Sequence, residues 1–187
     1  FHKADVPRTG KKRESKPSQK NLNDKNSRRY LVRLANINFG KNDLWCTFTW
    51  DKDHLPADEA AADRDVANFI RRINYRQKKK GRENIKYIYI PVVEGAERPH
   101  VHIIMTGKGI DRDELEELWG KGERSNTRRI KPDEDFLISG LATYISNNKR
   151  GKRRWRASKN LKKPPEPTRS YSKFKKPKVE KMAHDYE

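Results

Sequence analysis

Residues 85–107 read "IKYIYIPVVEGAERPHVHIIMTG", and the fold turns on how its two apolar runs pair. Ile, Val and Tyr crowd residues 85–94, and a second apolar run fills 99–107. Branched and aromatic side chains of this kind suit a pleated surface. Between the runs stands "GAERP", a short connection with Gly and Pro that predicts an antiparallel hairpin. In a strand, residues i and i+2 share a face. His100 and His102 therefore project together while Val101 points the other way. Two readings follow: a surface-facing pair on a half-buried strand, or two imidazoles placed to share one metal ion.

Upstream, "DLWCTFTWD" (43–51) is a buried strand by composition, ended by "KDHLP". From Asp58 the period changes: Ala62, Val66, Phe69, Ile70 and Ile73 recur at three- and four-residue steps, with Arg64, Arg71, Arg72 and Arg76 on the other face. This predicts an amphipathic helix of about twenty residues, with acids near its start and Lys78–Lys80 at its end, as the helix dipole favours. Gly81 stops it. Downstream, "DRDELEELWG" (111–120) is a short helix ended by Gly120 and Gly122, and "TRRIKP" (127–132) an edge strand. "DEDFLISGLATYISNNK" (133–149) reads as a second substantial helix, and "YLVRLANINF" (30–39) as an added strand. The order strand, helix, strand, strand, helix, then a further helix predicts an α+β fold, an antiparallel sheet with helices on one face.

The net charge of +19 lies at the two ends. Residues 1–33 carry 11 Lys/Arg against 3 Asp/Glu, residues 149–187 carry 15 against 4, and residues 34–148 carry 19 of each. A neutral body with basic arms predicts a polyanionic partner, held with an affinity that falls with salt. A solubilising tail is the plainer alternative. The single cysteine, Cys46, excludes an internal disulfide and a four-cysteine zinc site, and reads as a small core residue. No apolar stretch approaches the ~20 residues that span a bilayer, and no secretory signal is visible. A cytoplasmic protein without membrane contact is expected, and Phe1, not being an initiator methionine, suggests a start within a longer chain.

Two neutral imidazoles suit several divalent ions but need a third ligand. Glu94, across the hairpin turn, is the nearest candidate and Glu97 its competitor, while Asp51, Asp53 and His54 form another polar cluster after the first strand. The three alternating histidines of one nucleotide-hydrolase pattern are not met, since position 104 is Ile. On the late helix, Tyr144 falls within roughly 60° of Leu137 and Leu141. It is either a core aromatic or a phenol aimed at the sheet. A phenol, with a reference pKa of ~10, is a poor nucleophile at neutral pH unless its electrophile is polarised from the opposite side. Lys149, Arg150 and Lys152 follow at once and suit phosphates, and Trp155, set among Arg153, Arg154 and Arg156, suits base stacking in a DNA contact; as single residues the cations equally fit a solvated charge run.

Four segments, in order, carry a resemblance: "WCTFTWDKDHLP", "ERPHVHIIM", "LATYISNNK" and "WRASKNLKKP". Over residues 43–164 the chain resembles the HUH endonucleases, most closely the single-tyrosine rolling-circle replication initiators of phages and plasmids. The resemblance implies a ferredoxin-like sheet of about five antiparallel strands flanked by helices, within a domain of residues 29–150. A basic flexible arm (1–28) and a basic, Pro-rich extension (151–187) would flank it. It implies His100, His102 and Glu94 as ligands of Mn²⁺ or Mg²⁺, and Tyr144 as the nucleophile that cuts single-stranded DNA. A 5′-phosphotyrosyl link and a 3′-hydroxyl for the host replication machinery would result. Thr47 and Thr49 would line the site or touch DNA, and Lys149 would assist the tyrosine. Asn147 and Asn148 stand where the family often has that lysine, and position 148 is not a second tyrosine. No Walker motif occurs, so no fused helicase is expected in this chain. Two alternatives remain: a HUH transposase or relaxase, although relaxases usually cluster three histidines, and a non-catalytic nucleic-acid-binding protein that needs no metal.

Overall fold

The computed structural model describes residues 16–122, 125–134, 137–147 and 155–166. The hairpin forms as expected: β2 (Tyr87–Val92) pairs antiparallel with β3 (His100–Met105), Val92 opposite His100. β1 (Leu44–Thr49) lies on the other side of β3, β4 (Asn126–Arg129) flanks β1, and β5 (Arg156–Ala157) flanks β2. The five-stranded order is β4-β1-β3-β2-β5, antiparallel throughout. The helix α2 (Glu59–Lys79) links β1 to β2, and α3 (Arg112–Trp119) links β3 to β4. The result is the β-α-β-β-α-β ferredoxin-like arrangement. β5 covers only Ile88 and Tyr89 of β2; beyond them Pro91, with no N–H, blunts that edge.

Strand alternation sorts the apolar residues onto two faces. On one, Leu44, Cys46, Phe48, Val101, Ile103 and Met105 are buried against α2 and α3, with Val66, Phe69 and Trp119 at the centre. Burial pushes the Cys46 thiol up to about 12, so it is an inert core group. α2 starts where expected, Asp58 accepting a hydrogen bond from the Ala61 N–H at 2.6 Å. α3 is capped by Asp111 and ended by Gly120 in the left-handed region.

On the other face, Ile88, Ile90 and Ile104 are covered by α1 (Pro17–Asn38) and α4 (Ser139–Asn147). This corrects three expectations. Helices cover both faces of the sheet, not one. Residues 30–39 are not a strand: α1 runs from Pro17, inside the segment expected to be an arm, to Asn38. Leu31, Leu34 and Ala35 fall at helical spacing and are buried in one cluster with Ile138 and with Ala142 and Ile145 of α4, so tertiary packing overrides the β-favouring run. The late helix also begins six residues later than expected. Before it, Asp133 and Leu137 exchange backbone hydrogen bonds at 2.8 and 3.1 Å, and Leu137 has φ 51, a region that ends regular helix for a residue with a Cβ. Asn36 of α1 then accepts from the Ile138 N–H at 3.2 Å and donates to Ser139 Oγ at 2.9 Å, fixing where α4 begins. No helix among the described residues is long and apolar enough to cross a membrane.

The end of β1 is clamped from the α3 side. Trp119 donates its indole N–H to the Thr49 carbonyl at 2.7 Å, and a Cβ at Gly122 would lie 2.1 Å from that same oxygen. Gly122→Ala is therefore expected to lower the free energy of unfolding by ~1–3 kcal/mol, the usual cost of overpacking, measured by urea denaturation.

Candidate active site

The residues of β1 and β3 that face α4 form the site. Register sets Thr47 opposite His102 and Thr49 opposite His100. His100 donates from Nδ1 to the Arg98 carbonyl at 2.8 Å, which leaves Nε2 with its lone pair. His102 is 4% exposed and meets Thr47 Oγ1 through Nδ1 at 3.0 Å. Its Nε2 is buried with no hydrogen-bond partner among the described residues. Buried ring nitrogens are normally partnered, so this orphan fits a ligand. Burial, and then the neighbouring His100, lower the His102 pKa to about 4, which keeps the imidazole neutral and its lone pair available at neutral pH. The two rings lie 4.8 Å apart, centroid to centroid.

Tyr144 comes to this pair from α4. Its ring stands edge-on to His102 at 5.7 Å and to Trp45 at 6.4 Å, yet the residue is 58% exposed. It is thus neither a core aromatic nor a plain surface one. Trp45 stacks on His102 at 4.8 Å, so indole and phenol frame one imidazole.

Glu94 lies exposed in the turn after β2, and no group of three His, Cys, Asp or Glu side chains among the described residues is assembled to hold a metal. Asp51 and His54 bond each other instead, His54 Nδ1 to Asp51 Oδ1 at 2.8 Å. Lys149, Arg150, Lys152, Arg153 and Arg154 lie outside the described residues. Trp155, expected to contact DNA, packs on α1 and stacks with Tyr30 at 6.0 Å. Arg156, expected on phosphates, is 10% exposed at its side chain and bonds Asp63 at 2.8 Å and Glu59 of α2. Two carboxylates hold that guanidinium, which pins β5 to α2.

The strand that holds Trp45 reads from its composition as buried. The signal was present: in "LWCTFTW" Trp45, Thr47 and Thr49 share one strand face. What was missing was the register that puts this face beside His102. Also missed was a groove of about 900 Å³ beside the site, lined by Trp45, Arg128, Ile130, Lys131, Leu141 and Thr143 among others. Its lining mixes apolar side chains with cations, Arg128, Arg129 and Lys131 among them, and one acid, Asp133.

The family model for the replication-associated protein ORF2 matches residues 43–149. The chain belongs to this family. No match was found to a curated protein or to a solved structure. The matched segment contains β1, the histidine pair, the groove and Tyr144, whereas α1 and β5 lie outside it. Membership of the ORF2 family gives the chain a role in replication.

Proposed function

We propose that this ORF2-family protein is a replication initiator of the single-tyrosine HUH type, which nicks single-stranded DNA at an origin and later rejoins it. The observation that supports this reading is Tyr144, exposed at 58% while its ring centroid lies 5.7 Å from that of the neutral His102. Its Oη attacks the scissile phosphorus. One P–O bond forms to tyrosine and the bond to the 3′ oxygen breaks. The phenolic proton leaves to solvent and the departing oxygen takes one up, giving a 5′-phosphotyrosyl link and a 3′-hydroxyl that a host polymerase extends. Rejoining is the reverse, a 3′-hydroxyl displacing Tyr144.

His100 and His102 would hold a divalent ion, Mn²⁺ or Mg²⁺, with Glu94 as the proposed third ligand. When bound, the ion supplies a Lewis acid at the phosphate oxygens. Thr47 holds the His102 ring in orientation, as an outer hydrogen bond does for a ligating imidazole. The groove beside Trp45 suits the strand itself: its apolar lining residues take unstacked bases and Arg128 and Lys131 take phosphates. Glu94→Gln is expected to weaken Mn²⁺ binding by about 10-fold or more in calorimetry, because removing a ligand costs at least what removing an outer partner of one does. An unchanged affinity would assign the third ligand elsewhere.

The test of the reading is a covalent adduct. Mixed with a single-stranded oligonucleotide from a replication origin and Mn²⁺, the protein should yield a complex that survives denaturing electrophoresis. A chelator should prevent it. An adduct that forms equally well in chelator removes the metal role of the histidines.

A further inference from the structure

The neutral body hides a strong segregation of charge on α2. Its acids, Glu59, Asp63 and Asp65, all lie in the first half of the helix and all are bonded: Glu59 and Asp63 to Arg156, Asp65 to Lys121 at 3.0 Å and to the Trp50 indole at 2.9 Å. From Val66 to Arg82 the chain has seven cations and no acid. Glu114 of α3 neutralises two of them, Arg76 at 2.8 Å and Lys80 at 3.2 Å, and Arg82 bonds the Gly109 carbonyl at 2.5 Å. Among the described residues, Arg71, Arg72, Lys78 and Lys79 have no carboxylate partner; Arg71 meets only the Asn68 amide. All four are exposed. Arg71, Arg72, Tyr75, Arg76 and Lys79 rim a shallow depression of about 540 Å³ over Leu118.

This surface is on the far side of the sheet from the candidate active site. α2 packs on the face of Cys46, Phe48 and Val101, whereas His102 belongs to the opposite face, where Tyr144 of α4 meets it. A strand lying in the site does not reach it. The helix dipole accounts for cations in the last turn, but not for Arg71 and Arg72 two turns earlier.

We infer that the outer face of α2 is a second nucleic-acid surface, which grips the phosphate backbone of duplex DNA while the opposite face works on a single strand. The inference rests on the proposed replication function. Its chemistry favours a duplex over a single strand. Sequence-tolerant binding of single strands uses aromatic rings as stacking platforms. The one aromatic here, Tyr75, is 61% exposed, but Lys79 Nζ sits 4.7 Å over its ring centroid, so the cluster offers cations rather than a bare ring. Point charges on a rigid helix gain most where phosphates are dense and regular, about one per 1.7 Å of duplex axis. Such contacts position the protein without reading sequence.

The experiment compares the full chain with its Arg71→Glu/Arg72→Glu/Lys79→Glu variant, using a 20-base-pair duplex of arbitrary sequence and a 20-nucleotide oligo(dT). The slope of log affinity against log salt for the duplex should fall by ~2.7 if three phosphate contacts are lost, at ~0.9 each. Affinity for oligo(dT), and the Tyr144 adduct on a short single strand, should stay at the level of the parent. The Arg71→Lys/Arg72→Lys variant should keep duplex affinity, which separates charge from fold. Unchanged duplex binding by the folded triple variant overturns the proposal. So does an equal loss on both probes, because the face would then not distinguish duplex from single strand. Failure of the adduct assay alone would sink the nickase reading and leave the duplex comparison standing.

Discussion

Tyr144→Phe is expected to abolish the covalent DNA adduct while leaving the protein folded. Loss of a covalent nucleophile from an otherwise intact site lowers turnover on the order of 10⁶-fold, so no adduct should be visible on a denaturing gel. The fold should tolerate the change because Tyr144 is 58% exposed and its hydroxyl makes no hydrogen bond among the described residues. Phenylalanine keeps the edge contacts to His102 and Trp45. The melting temperature should therefore match that of the parent. An adduct formed at the parent rate would mean that another side chain is the nucleophile.

The second large effect is expected at the histidine pair. His100→Ala and His102→Ala should each abolish Mn²⁺ binding measured by calorimetry, and with it the adduct, because among the described residues these two imidazoles are the ligands already assembled. Thr47→Val is the more discriminating variant. Valine has nearly the shape of threonine but cannot hold His102 Nδ1, which meets Thr47 Oγ1 at 3.0 Å. Losing an outer partner of a metal-bound histidine typically costs about 10–100-fold in metal affinity or activity. Mn²⁺ affinity should fall within that range while the fold survives. If Mn²⁺ binds the His102→Ala protein as tightly as the parent, the pair is a surface feature of β3 and no metal site.

Much of the fold was legible because strand and helix periods differ. The two apolar runs around "GAERP" read as a hairpin and formed one. The three- and four-step spacing from Ala62 to Ile73 read as a helix, and α2 spans Glu59–Lys79. α1 was missed because "YLVRLANINF" carries both signals: its branched residues favour a strand, while Leu31, Leu34 and Ala35 fit a helix. Only the presence of α4 to pack against decides between them. Local sequence likewise could not place Leu137 outside the late helix, since its φ of 51 follows from the backbone pairing with Asp133.

The candidate site divides in the same way. The sequence by itself determined that His100 and His102 share a face, because alternation in a strand is a property of the backbone. It also determined that the cations lie at the ends and along α2, and that Cys46 has no partner for a disulfide. Only the tertiary structure decided that Thr47 and Trp45 meet His102, because register across β1 and β3 is a contact between residues 55 apart in the chain. It alone decided that Tyr144 is exposed beside that ring rather than buried in the core, and that Arg156 answers Glu59 and Asp63. A helix's period says which residues share a face; what that face meets is settled when the layers pack.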